Sequence, residues 1–131
     1  MKVAIFREVV DVHSIAALHQ HLRYRHESRF GAFWLTHANG NKLAMLVSYD
    51  AALLHFFTAQ DGPFYFSVGK GSPDEEIPFL ADNYESSPMT ADHAVPLTDA
   101  MTVVDEFYAT GQRSERIKWD DLSNNSQERS A

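Results

Sequence analysis

Between residues 29 and 69 the sequence alternates short apolar runs with turn signals, and that rhythm leaves few folds open. "RFGAFWLTHA" is followed by Asn39-Gly40, a dipeptide whose backbone preferences suit a tight hairpin. "KLAMLVSY" ends at Asp50, "ALLHFFTA" ends at Gln60-Asp61-Gly62-Pro63, and "FYFSVG" returns. Short runs rich in β-branched and aromatic residues, cut in this way, predict an antiparallel meander. Apolar residues occur at consecutive positions within the runs, not only at alternate ones. Both faces of the sheet therefore need cover. A helix on one face, with another element shielding part of the other, satisfies that requirement.

Upstream, "KVAIFREVV" predicts a first strand, and Asp11 is positioned to cap a helix over roughly residues 12–28. Val12, Ile15, Leu18, His19, Leu22 and His26 share one broad face of that helix, with Arg23, Arg25 and Arg29 at its solvent edge. Downstream, "EIPFLA" and "HAVPL" are candidate short strands within an irregular stretch. Leu97, Ala100, Met101, Val104, Phe107 and Tyr108 then recur at helical spacing, with Thr98 as N-cap, Asp99 in the first turn and Gly111 as the stop. The tail "SNNSQERSA" has no apolar residue beyond alanine. The expected organisation is one α+β domain over residues 1–122 and a disordered tail over 123–131. In that domain an N-terminal and a C-terminal helix pack an antiparallel β-meander sheet.

The chain has 131 residues, enough for one sizeable core. It contains no cysteine, which excludes disulfides, thiolate nucleophiles and cysteine-based metal centres. No signal-peptide pattern or membrane-length apolar stretch is present, so the expected location is the cytoplasm. Net charge is −7, divided as +2 over residues 1–60 and −9 over residues 61–131. Such a C-terminal half repels the phosphate backbone, so nucleic acid is not an expected partner. The acidity suits either a solvated surface or a basic protein partner.

Seven histidines raise the question of a metal. His19 and His21 point to different sides of a helix, and His19 and His26 lie about 10 Å apart along it. Histidines at the margin of a core explain that pattern better than a metal site. Zincin, EF-hand, Walker and nucleophile-elbow patterns are all missing, and "GKGSP" has proline where a phosphate-binding helix would begin. No catalytic residue, cofactor or metal is assigned. A competing reading is a small-ligand or enzymatic domain with a pocket between the sheet and the first helix, lined by His19, His26, His55 and Trp34.

The stretch "AMTVVDEFYATGQRSERIKWDDL" resembles the C-terminal signature of the Imm-one family of bacterial immunity proteins. That signature joins an aromatic-bearing helix, a glycine stop, an arginine, and a tryptophan followed by acids and leucine. Here these are Phe107, Thr110, Gly111, Arg113, Trp119, Asp120, Asp121 and Leu122, with Ser114 where the family often has proline. The resemblance implies an α+β immunity protein that binds the toxin domain of a polymorphic toxin system, frequently a nucleic-acid deaminase, at its positive substrate groove. The signature residues are expected to be architectural, with Trp119 fixing the last segment against the sheet. The expected toxin-binding surface is the acidic segment Asp74, Glu75, Glu76, Asp82 and Glu85, with Phe79 and Tyr84 as apolar anchors.

Overall fold

A computed structural model of the chain describes residues 1–6, 8–23, 29–59, 62–81 and 84–122. The fold is α+β, with an antiparallel sheet and two α-helices. Its first departure from expectation comes at once. Residues 2–10 do not form one strand but belong to a hairpin, β1 (Lys2–Ile5) against β2 (Glu8–Asp11), with Lys2 opposite Asp11. Phe6 is the pivot. Its φ is 44°, and its N–H donates to the Ala32 carbonyl at 3.3 Å. Asp11, placed in a strand, leaves the capping of α1 (Ile15–Leu22) to Ser14, whose extended backbone lets Oγ accept from the Ala17 N–H at 3.1 Å. This helix is shorter than the sequence suggests. Leu18 and Leu22 are fully buried, whereas Ile15 is exposed. Arg25 and His26 lie outside the described residues, as does the tail 123–131.

The meander follows as β3 (Phe30–Thr36), β4 (Lys42–Ser48), β5 (Ala51–Phe57) and β6 (Phe64–Val68). The chain then forms a two-stranded ribbon, β7 (Glu76–Ile77) with β8 (Met89–Thr90), and a single 3-10 turn over Ala91–His93. β9 (Ala94–Pro96) rejoins the main sheet beside β5, beyond the stretch of β5 that β6 occupies. Helix α2 (Leu97–Thr110) and strand β10 (Lys118–Asp121) complete the described chain. The sheet order is β10-β6-β5-β4-β3-β1-β2. Pro96, not Thr98, caps α2, and no side chain bonds there. The Leu97 N–H instead donates to the Asp50 carbonyl at 2.7 Å, so the turn before β5 satisfies the helix start.

Pairing register divides the side chains between two faces. Val3 and Ile5, Phe33 and Leu35, Leu43, Met45 and Val47, and Leu54 and Phe56 share the face that receives α2, where Phe107 meets Phe56 edge to face at 6.0 Å. Leu18 and Leu22 of α1 join the same core, and His19 reaches Asp105 of α2 at 2.5 Å. Each large apolar side chain fully buried here contributes roughly 1.5–3 kcal/mol. The opposite face takes the intervening residues, among them Trp34, Ala44, His55, Phe57, Phe64 and Phe66.

The segment carrying the β7–β8 ribbon is anchored at both sides of the sheet. Tyr84 stacks on Phe6, next to β1, with centroids 4.7 Å apart, and His93 lies 5.3 Å from Phe66 on β6. Those anchors are separated by four strand spacings, roughly 19 Å. Phe79, carried between them, is 1% exposed. The segment is a strap held across the sheet, and its carboxylates ride on an ordered support.

Candidate functional site

The signature residues build a closure for the fold. Gly111 ends α2 in the left-handed region at φ 69°, and its carbonyl accepts from Asn39 Nδ2 at 3.0 Å and Asn41 Nδ2 at 2.8 Å. The β3–β4 turn is thereby docked on the helix end. Asn41 Oδ1 also accepts from the Ala59 N–H at 2.8 Å, which draws the end of β5 into the same knot. Beyond Gly111, the guanidinium of Arg113 lies 3.7 Å from the centre of the Tyr65 ring. Trp119 stands on the helix side of β10, edge to face with Phe56 at 6.3 Å, and its Nε1 donates to the Ser114 carbonyl at 2.7 Å.

Ser114 does what a proline at this position could not. Its buried hydroxyl donates to Glu106 and accepts from the Arg116 N–H at 3.1 Å, while Arg116 Nε donates to Glu106 Oε1 at 2.6 Å. The Ser114 hydroxyl first, and Arg116 next, hold the Glu106 carboxyl below its usual range. That part of the closure is present above the ordinary carboxylate pKa and is lost as acid protonates Glu106 in the folded chain. Replacing Ser114 by alanine is expected to cost about 1 kcal/mol, read as a lower urea midpoint; an unchanged midpoint would show that the hydroxyl carries no net stability.

The proposed contact residues divide. Asp74, Glu75 and Glu76 are exposed on the strap, where the Ser72 hydroxyl accepts from the Asp74 N–H at 3.1 Å, the Glu75 carbonyl accepts from Ala91 at 2.8 Å, and Glu76 pairs with Thr90. Glu85 is exposed nearby, and Asp82 lies outside the described residues. The apolar anchors fare differently. Phe79 is buried and faces no partner, while Tyr84 is 48% exposed with one ring face spent on Phe6.

A feature that sequence reasoning missed lies on the sheet face turned away from α2. The register aligns Trp34, Ala44, His55 and Phe66 across β3 to β6, with Asp120 of β10 next in the row. Phe57 stacks on Trp34 at 5.2 Å, and Phe64 meets Phe57 at 5.5 Å. His55 sits between Phe57 and Phe66, at 3.9 and 4.1 Å, with Nε2 buried and unpartnered. Burial lowers its pKa to about 4, so the ring is neutral at physiological pH. The signal was present in sequence as aromatics in neighbouring runs, but only the register shows that they converge.

The competing pocket between the sheet and first helix is corrected by this parity. His55 and Trp34 lie on the face opposite the one that receives α2, whereas His19 is bonded to α2; His26 is outside the described residues. A cleft of about 500 Å³ does touch α1, but Ile5, Glu8, Val10, Gln20, His21, Arg23 and Tyr84 line it. A larger groove, about 920 Å³, opens where β9 and β10 part, with Asp50, Glu75 and Asp99 set against Lys70, Arg116 and Lys118. Among the described residues no cluster of three His, Asp or Glu is arranged to hold a metal, and no helix is long and apolar enough to cross a membrane.

The family model described as Immunity protein Imm1 matches residues 7–121, nearly the whole of the described fold and all of its closure except Leu122. A comparison with curated proteins finds no match. With the glycine-stopped helix, the docked tryptophan and the meander accounted for in one continuous match, the chain belongs to the Imm1 family of immunity proteins.

Proposed function

We propose that this protein binds the toxin domain of a polymorphic toxin system, a nucleic-acid deaminase, and inhibits it by covering its positively charged active-site groove. It acts without chemistry of its own, in the cytoplasm. Membership of the immunity-protein family carries the reading. The charge distribution supports it, because the −9 of residues 61–131 favours a cationic partner and speeds encounter by electrostatic steering. So does the strap, which presents Asp74, Glu75 and Glu76 to solvent on hydrogen-bonded backbone. Co-expression with the cognate toxin domain, followed by co-purification, tests the pairing. A stable complex is expected, and a toxin domain that purifies alone would refute it.

The strap carboxylates contribute chiefly to association rate in this reading. Substituting Asp74, Glu75 and Glu76 together by Ser is expected to slow association by roughly tenfold at low salt and to flatten its salt dependence. Stopped-flow binding across a salt series is the check. Unchanged kinetics would move the contact away from the strap.

A further inference from the structure

The strap supplies charge but lacks anchors, since Phe79 is buried and Tyr84 is stacked on Phe6. Protein interfaces draw most of their energy from a few aromatic groups that become desolvated on binding. Such groups are gathered on the sheet face turned away from α2. Trp34, Phe57 and Phe66 are half-buried there, and Phe64 is 41% exposed at the edge of the cluster. Ala44, a single methyl, lies between Trp34 and His55 in the cross-strand row. In the same row His55 keeps a ring nitrogen without a partner, an arrangement that costs stability and that an aliphatic residue would avoid. Local conflicts of this kind concentrate where a surface serves something other than folding.

We propose that this aromatic face is the apolar centre of the toxin-binding surface, seating apolar side chains of the toxin domain over Phe57 and Phe64. The inference rests on the reading of the chain as a toxin-binding immunity protein. Charge identifies the occupant. Asp120 closes the row beside Phe66, and the acidic run adjoins the same side through His93, Ala91 and Glu75. Lys42 stands at the other end, in register with Phe57. A basic groove is thus oriented with its cations toward Asp120 and the strap while an apolar side chain meets Phe57 and Phe64. A second copy of this chain, itself at −7, is repelled as an occupant. Alternation along β10 gives two neighbouring residues separate duties: Trp119 holds the core, and Asp120 borders the aromatic face.

Calorimetric titration of the purified cognate toxin domain tests the assignment, using wild type, Phe64→Glu, Phe64→Thr and Ile15→Ser. Ile15 is 41% exposed on α1, whose Leu18 and Leu22 join the core on the other face of the sheet, and serves as control. Phe64→Glu is expected to weaken Kd roughly 30-fold or more, with Phe64→Thr intermediate and Ile15→Ser within about twofold of wild type. Thermal melts confirm that each variant is folded, and Phe64→Thr keeps a strand-forming residue where the charge unfolds β6. Wild-type affinity in both Phe64 variants would overturn the proposal while leaving the immunity reading intact. A Phe64 effect confined to self-association, measured by sedimentation, would assign the face to a homodimer and overturn it equally. If wild type itself does not bind the toxin domain, both readings fall together.

Discussion

Gly111→Ala is expected to remove about 3–4 kcal/mol of folding stability, a large share of what a domain of this size possesses. Two independent causes act at the same atom. The residue sits at φ 69°, where a β-carbon costs about 1–2 kcal/mol. That carbon would also lie 2.3 Å from Asn39 Nδ2 and 2.5 Å from His37 Nδ1, inside the contact distance of either. Relief of the clash displaces the Asn39 amide from the Gly111 carbonyl, forfeiting a bond worth about 1 kcal/mol, and the misfit adds a further 1 kcal/mol or more. Asn39→Ala, which loses that bond and the one Oδ1 accepts from the Asn41 N–H at 2.9 Å but keeps the glycine, should cost only about 1–2 kcal/mol. Urea denaturation of the two variants separates the effects. A loss below about 1 kcal/mol in Gly111→Ala would mean that the turn and helix end relax freely, and that the closure is not held at this point.

The second large effect is a dependence on acid. His55 has a folded pKa of about 4 against an ordinary 6.5, because burial among aromatic rings disfavours the imidazolium. The unfolded chain therefore takes up the proton first. Stability is full above the ordinary value, declines as pH falls through 6.5, and stops declining from this source near pH 4. The limiting loss is roughly 3 kcal/mol, reduced by whatever solvent reaches the half-buried ring. His55→Leu should abolish that part of the slope and, by removing the unpartnered nitrogen, should not destabilise the fold near neutral pH. Urea midpoints for both proteins between about pH 7.5 and 3.5, a range that brackets the two values, give the comparison. Whatever the rest of the chain contributes is common to both curves and cancels in the difference. Parallel curves would place the His55 ring in contact with water and remove the physical basis of the shift.

Much of the fold could be read because local and tertiary preferences agree in it. Strands β3 to β6 are short apolar runs between turn residues, and α2 carries an apolar stripe ending at a glycine that adopts the conformation glycine favours. The first hairpin was hidden because its reversal uses Phe6, a bulky residue with no preference for positive φ. Contacts distant in sequence hold it there: the Ala32 carbonyl and the ring of Tyr84. Phe79 was misjudged for a related reason. A phenylalanine in a proline-flanked acidic segment reads as an exposed anchor until the segment is seen to cross the sheet.

The aromatic face was out of reach for a different reason. Apolar residues on both sides of the strands were visible, but the convergence of Trp34, His55, Phe57, Phe64 and Phe66 depends on register, and a one-residue slip in any strand reverses its faces. The same parity separates Trp34 and His55 from His19, which proximity in composition had grouped into one pocket. Among signature residues the part played by Ser114 was hidden, since its partner Glu106 lies eight residues back and carries no mark in the sequence.

Inhibition by occupation of the toxin's substrate groove is tested by titrating the purified protein into the cognate toxin domain. Nucleic-acid deamination is followed on a single-stranded substrate as the molar ratio rises. Activity is expected to fall linearly and vanish at equimolar protein, with substrate and inhibitor competing for the same site. A tight complex in which the toxin keeps its full rate would contradict it.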